Sequence, residues 1–260
     1  MMPAAFIGHG SPMNAVENNR YTEAWAGLGS RIVQTVGAPK AILAISAHWY
    51  INATAVTAMA KPQQIYDFGG FPPALSQFSY PVDGSPELAK RVIELLSPVP
   101  VISDMTSWGI DHGTWSVLCH MFPNADVPVV QLSIDATKPA HYHLEVGRAL
   151  APLRDEGVLI IGSGNIVHNL SIMRWDMPGL GDDWAQRFDT ETRRVLTSTS
   201  PGQIIDLLEH PDARLAVPTP EHFFPVVYIA GLAEAAQSSL DVLIEGYEFG
   251  STSMTAVSLD

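Results

Sequence analysis

Three apolar runs in this chain each lead into a turn that carries a histidine, and no other feature limits the available folds as strongly. They are PAAFIGHGSP with His9, AILAISAHW with His48, and VLIIGSGNIVHN with His168. Runs that are apolar without alternation read as strands buried on both faces, as in a parallel sheet covered by helices. In open α/β sheets the ligand crevice lies beyond the carboxyl ends of the strands, so the three imidazoles are expected along one rim. A fourth, His222, opens an expected helix in VPTPEHFFP.

Around these runs, strand and helix signals alternate. Strands are predicted at 3–8, 41–47, 55–59, 127–135 and 158–163. Helices are predicted at 14–28 (closed by Gly29), from about 112 to 121, at 138–153, 183–198 and 201–209, and after Pro220. One more helix has a clear start. Ser85 is a good N-cap, Pro86 suits the first helical position and Glu87 favours the positive helix end. Leu88, Val92, Leu95 and Leu96 then repeat at helical spacing. The C-terminal DVLIEGYEFGSTSMTAVSLD reads as two strands joined by a Gly-Ser turn, hence an antiparallel pair. No repeat or linker separates two halves. The expectation is one α/β domain over 1–260, a mostly parallel central sheet flanked by helices with a C-terminal antiparallel pair.

With 47% hydrophobic and 16% charged residues the chain can bury a large core. Its net charge of −13 excludes the phosphate-neutralising surface that nucleic acid requires. The scattered Lys and Arg give no basis for attraction to an anionic membrane. No apolar run approaches the roughly 20 residues of a membrane span. MMPAAFIGHG lacks the basic start of a secretory signal, so a cytosolic location is expected. Cys119 stands alone, which excludes disulfide scaffolds and cysteine-rich zinc sites.

Among the histidines, His120, His141, His143 and His210 read as ordinary surface or core residues. His9, His48, His168 and His222 share one expected rim and together read as a metal site. No HExxH or HxH spacing narrows the metal, and imidazole ligands suit zinc, iron or copper. In PTPEHFF, Thr219 is expected to cap a helix whose first turn holds Glu221 and His222. Adjacent helical residues diverge by roughly 100°, so both are not expected on one ion. The helix dipole accounts for Glu221 as a carboxylate and keeps His222 neutral, as a ligand must be, so His222 is chosen. His112, in GIDHGTWSVL, reads equally as part of a helix start and as a site residue, with Asp111 as N-cap. The stretch KPQQIYDFGGFPPALSQFSYPVDG has the length of a lid or binding loop. Its segment Tyr66–Pro72, with Phe68 and Phe71, is a candidate to wall a substrate and reads equally as an ordinary surface loop. Lys61 is the only basic residue in this loop, so an anionic substrate tail has no evident partner there.

Taken together, GHGSPMNAV, SAHW, IYDFGGFP, WGIDHGTWSVL, VQLSID, SGNIVHNL and PTPEHFFP resemble the class III extradiol ring-cleavage dioxygenases, and within them the 4,5-DOPA extradiol dioxygenases. The resemblance runs from His9 through the C-terminal EGYEFGSTSM. It implies an α/β fold, one divalent non-haem metal ion (Zn2+ or Fe2+), and opening of a small catechol by O2. Position by position, His9, His48 and His222 match the metal ligands. His168 matches a further ligand or a nearby acid/base, and His112 a histidine that hydrogen-bonds substrate or oxygen. An all-histidine set departs from the two-histidine, one-carboxylate arrangement of many non-haem iron oxygenases and favours zinc more than that triad does. A zinc-dependent hydrolase and a non-catalytic metal-binding protein on the same fold are the alternatives.

Overall fold

The apolar runs become strands. In a computed structural model that describes residues 1–260, they are β1 (Ala4–Gly8), β2 (Ala41–Ile51), β3 (Ala55–Thr57), β4 (Ile102–Asp104), β5 (Val129–Asp135), β6 (Val158–Gly164), β7 (Asp241–Ile244) and β8 (Ala256–Leu259). All eight join one sheet in the order β4-β3-β5-β2-β6-β1-β8-β7. The central β5, β2, β6 and β1 run parallel. Every residue of β1, β5 and β6 is buried, as expected of strands covered on both faces. Antiparallel pairing is left to the flanks: β3 meets β5 at Val56–Leu132, β8 pairs with β1, and β7 with β8.

Six longer helices cover the sheet: α1 (Arg20–Val36), α2 (Pro86–Leu96), α3 (His112–Met121), α4 (Ala140–Leu150), α5 (Asp183–Leu196) and α6 (Phe224–Ala235). On one face α1 and α3 bury Trp25, Leu28, Trp115 and Leu118 together with Ile42, Ala44 and Leu159 of the sheet. On the other, α2, α4, α5 and α6 pack over Phe6, Leu43, Ile45 and Ile160. α6 is buried over most of its length, which its uniformly apolar sequence requires. No helix is long and apolar enough to cross a membrane.

Several boundaries differ from the sequence reading, each for a local reason. The expected helix 14–28 is a 3-10 turn, Pro12–Ala15, followed by α1, because Asn19 and Thr22 cap α1 reciprocally. Gly29 does not close α1, which continues to Val36. The expected helix 138–153 begins at Ala140 and gives way to a separate short helix at Pro152. Residues 201–209 form a 3-10 helix. The strand expected at 55–59 stops at Thr57, and β2 continues to Ile51, so His48 lies within a strand rather than beyond one. Thr219 caps no helix. Its hydroxyl donates to the Glu221 carboxylate, and α6 begins only at Phe224, so the dipole argument for His222 does not hold. At the C-terminus the Gly-Ser turn sits in a small ribbon, Tyr247–Glu248 with Thr252–Ser253, while the longer antiparallel pair is β7 with β8.

α1 crosses α3 so closely that a Cβ on Gly29 would lie 2.2 Å from the Met121 carbonyl oxygen. A Cβ on Gly27 would meet nothing within 4 Å. Alanine gains about 1 kcal/mol of helix propensity over glycine, while forcing a methyl into packed backbone costs about 1–3 kcal/mol. Gly29→Ala is therefore expected to lower the unfolding free energy by up to about 2 kcal/mol in urea titrations, and Gly27→Ala to raise it by up to about 1 kcal/mol. Equal effects at the two positions would remove the tight crossing.

Candidate metal centre

The ends of β1 and β6 and a lapse in the pairing of β2 open a gap in the sheet. Pairing of β2 with β6 stops at Ser46–Ser163, and its pairing with β5 lapses between Ile45 and Tyr50, which frees the segment around His48. β1 ends at Gly8, and the amide of His9 donates to the Gly164 carbonyl. Just past β6 the Asn165 amide donates to the His222 carbonyl at 2.9 Å. Gly164 permits this approach, since a Cβ there would lie 2.2 Å from the same oxygen. His222 is thus set by a backbone contact in the turn before α6. The first turn of α3 closes the floor, and Gly113 lets it do so: a Cβ would lie 2.7 Å from Ser46 Oγ and 2.8 Å from His48 Cδ2. Asp111 caps α3 by accepting from the Thr114 amide, and Ser46 and Gln131 donate to its carboxylate.

Hydrogen bonds assign the free nitrogen of each ring. Ser163 Oγ donates to the Gly113 carbonyl and therefore accepts from His9 Nδ1, 2.9 Å away. His48 Nδ1 lies 2.9 Å from the Asp67 carboxylate, which can only accept. Both rings consequently carry hydrogen on Nδ1 and a lone pair on Nε2, and the two Nε2 atoms face each other at 3.2 Å. Such lone pairs repel unless a cation or a shared proton lies between them. His222 Nδ1 faces the Glu221 carboxylate at 3.4 Å. One ring nitrogen from each of His9, His48 and His222 lies within 4.8 Å of the others. Two nitrogens on one tetrahedral ion, each at about 2.0–2.1 Å, stand about 3.3 Å apart, so donor chemistry and spacing both fit a single divalent ion. Anchoring the second nitrogen of each ligand is the common pattern in such sites.

Charge at the centre follows from burial. His9 and His222 are held well below the ordinary imidazole range, by burial first and then by the neighbouring histidines. His168 is pushed down to about 4, again chiefly by burial. Burial also lowers His112, against the opposing pull of Asp67. In His48 burial acts the same way, but the bond to Asp67 and the Asp111 charge outweigh it, so its pKa is raised. Asp67 resists the upward push of burial because His112 and His48 both bond to it, and it stays ionised far into acid.

The five remaining expectations sort by position around a cavity of about 700 Å³. His168 lines it and stacks on His222, with centroids 3.5 Å apart and planes 9° from parallel, outside the His9–His48–His222 group. His112 lines it with its ring 4.0 Å from that of His48. Phe68 and Phe71 are in the wall. Tyr66 is not; its hydroxyl donates to the Phe78 carbonyl at 2.7 Å and its ring packs on Phe68 and Trp115. The loop is therefore a wall rather than a plain surface loop, and Tyr66 supports it from behind. Lys61 stands apart, paired with Asp83 and 80% exposed. His120 bonds the Asn14 carbonyl and His143 the Tyr228 hydroxyl, as ordinary structural histidines.

Asp67 is the residue the sequence reading missed. One of its oxygens lies 2.9 Å from His48 Nδ1 and the other 2.8 Å from His112 Nδ1. Its signal was present: a lone acid in the otherwise uncharged IYDFGGFP.

A family model for the catalytic LigB subunit of aromatic ring-opening dioxygenase matches residues 3–258. A protein of Escherichia coli (strain K12) named 4,5-DOPA dioxygenase extradiol is 48% identical over 261 residues, 99% of this chain and 94% of that one. A Beta vulgaris protein of the same name is 38% identical over 252 residues, 94% of this chain and 91% of its own. The crystal structure of an uncharacterized protein from Escherichia coli K12 superposes with a TM-score of 0.86 at 42% identity, covering 100% of both chains.

Asp67→Asn removes an acceptor from one of two imidazoles, and Zn2+ affinity is expected to fall about 10–100-fold in competition titrations. Unchanged affinity would show that the carboxylate has no part in holding the ligands. In the metal-free chain, His9, His112, His168 and His222 bind protons less readily than in the unfolded chain, and only His48 the reverse. The unfolded state therefore takes up more protons as pH falls from about 6.5 toward 4, at about 1.4 kcal/mol per proton and pH unit. Metal-free protein is expected to lose stability across that window, and a flat urea midpoint from pH 7.5 to 5 would contradict the assignment.

Proposed function

Because the chain belongs to the family of catalytic LigB subunits of aromatic ring-opening dioxygenases, we propose that it opens a catechol ring, such as that of L-DOPA, with O2 in extradiol fashion to a muconate semialdehyde. The observation that carries this reading is the pair of opposed Nε2 lone pairs on His9 and His48, with His222 beside them, on the floor of an aromatic-walled cavity. These three residues would hold one divalent ion, Fe2+ or Zn2+, which when bound supplies Lewis acidity toward the catechol hydroxyls and a common template for catechol and O2.

The protein's own groups supply the rest. His168 is neutral at physiological pH, so a ring nitrogen is free to take a proton from a catechol hydroxyl. A catecholate formed beside it would raise its pKa and make the proton transfer easier, and the same nitrogen can later return the proton. His112 gives its Nδ1 hydrogen to Asp67, so in the neutral ring Nε2 accepts. Only as an imidazolium, with Asp67 as counter-ion, would it donate to a developing oxyanion. Phe68 packs edge-on to His112, with centroids 5.5 Å apart, and with Phe71 would shield the ring from water.

Chain loaded with ferrous ion and given L-DOPA is expected to form yellow product with oxygen and none without it. Product formed anaerobically by zinc-loaded chain would replace this reading with a hydrolase. His168→Ala should retain metal better than His48→Ala yet lose about 10²–10⁴-fold in turnover, the usual scale for a removed acid/base. Equal metal loss in the two variants would make His168 a ligand instead.

A further inference from the structure

Charge is distributed unevenly in the cavity. Its wall contains no lysine or arginine and three carboxylates, Glu17, Asp67 and Glu248. Asp67 is engaged by His48 and His112. Neither Glu17 nor Glu248 is paired with any cationic side chain, although acids nearby are: Glu245, three residues before Glu248, with Arg193, and Asp182, whose amide donates to the Gly250 carbonyl, with Arg174. Arg20, the arginine closest in sequence to Glu17, gives its guanidinium to the Glu245 carbonyl. Glu248 is held in place by the Gly179 amide, which donates to its carboxylate at 3.1 Å. Beside it in the chain stands Phe249, whose ring lies 4.9 Å from that of Trp175, also in the wall. Trp175 is 74% exposed, a large aromatic surface left open at the rim. His9, His112 and His222, by contrast, are buried at the floor, and His48 and His168 are partly so.

We propose that this cavity recognises its catechol through a protonated amine on the substrate side chain, with Glu248 and Glu17 as counter-charges and Trp175 and Phe249 as the aromatic faces beside it, and that it offers a substrate carboxylate no cationic partner. A rigid carboxylate next to open aromatic faces is the arrangement that favours an ammonium, by charge and by cation–π attraction together. A carboxylate entering the same space meets two like charges and no donor side chain of opposite sign. The substrate class is therefore catecholamines and catechol amino acids, ahead of catechol acids. The ring's identity rests on the dioxygenase reading; recognition of the amine does not.

Binding separates the two. Zinc-loaded full-length chain is titrated calorimetrically with tyramine and with 3-(4-hydroxyphenyl)propionate, which differ chiefly in the charge of the tail. Tyramine is expected to bind about tenfold more tightly, given the usual strengths of an exposed ion pair and a cation–π contact. The ratio should shrink severalfold in Glu248→Gln and in Glu17→Gln, and also in about 1 M salt, where charges are screened beyond about 3 Å. Equal affinity for the two ligands, or a ratio that neither substitution nor salt alters, overturns the inference. With ferrous ion and O2, kcat/KM should follow dopamine, then L-DOPA, then 3-(3,4-dihydroxyphenyl)propionate, and the reverse order also overturns it. A chain that prefers tyramine yet opens no catechol would instead sink the dioxygenase reading and leave the amine site standing.

Discussion

His9 and His48 turn lone pairs toward each other across 3.2 Å, and neither ring can relieve the repulsion by flipping without losing a partner. Flipping His9 would leave Ser163 without its donor, and flipping His48 would set a lone pair against the Asp67 carboxylate. Each broken partnership in a buried site costs about 1–3 kcal/mol. Protonating His9 is opposed by burial and by four other histidines within reach of its charge. A divalent cation satisfies both rings at once; the only other addition that does so is a proton carried by His48, whose pKa is raised, and shared with His9. The geometry of the whole centre depends on this: the hydrogen bonds on the outer nitrogens select the tautomers, and the tautomers create a position of negative potential enclosed by protein.

Holding that position needs close backbone approaches more than it needs particular helices. Gly164 admits the His222 carbonyl and Gly113 admits the rings of His9 and His48, so two strand ends, the unpaired stretch of β2 and one helix start meet without intervening side chains. The long loop is tied to the same point. Asp67 bridges His48 and His112, Trp115 Nε1 donates to the Ile65 carbonyl at 2.9 Å, and Gln63–Gln64 pairs with Gly109–Ile110. Movement of the loop would therefore disturb the tautomer of His48, which couples the cavity wall to the centre beneath it.

Much of this was readable in the chain because it rests on burial. Short uninterrupted apolar runs bounded by turn residues fit central strands, and β1, β5 and β6 appear where they do. The histidines after them could be placed on one rim by the direction of parallel strands alone. The choice of His222 over Glu221 is a different matter. It relied on a helix that begins later, at Phe224, and what brings His222 toward His9 and His48 is a backbone contact to Asn165 that no periodicity reveals. Asn19 displaced the start of α1 because a reciprocal cap is stronger than the weak pattern before it. Asp67 escaped notice for a physical reason as well. Its role is defined by two partners, 19 residues before it and 45 after it, and a carboxylate in a loop carries no local mark of having such partners.

The location of the negative charge gives the arrangement its chemical sense. An ion held by histidines alone would keep its full charge available to polarise a bound hydroxyl, whereas a directly bound carboxylate would neutralise part of it. Asp67 and Glu221 stand one ring away, where they would strengthen the imidazoles as donors to an ion held by His9, His48 and His222. Glu17 and Glu248 lie farther out, on a wall without cations. A loaded cavity is therefore positive at its floor and negative at its rim. A molecule whose ring hydroxyls ionise at the floor while its tail keeps a proton at the rim is matched at both ends, and one with an acidic tail is opposed at the rim before its ring reaches the histidines.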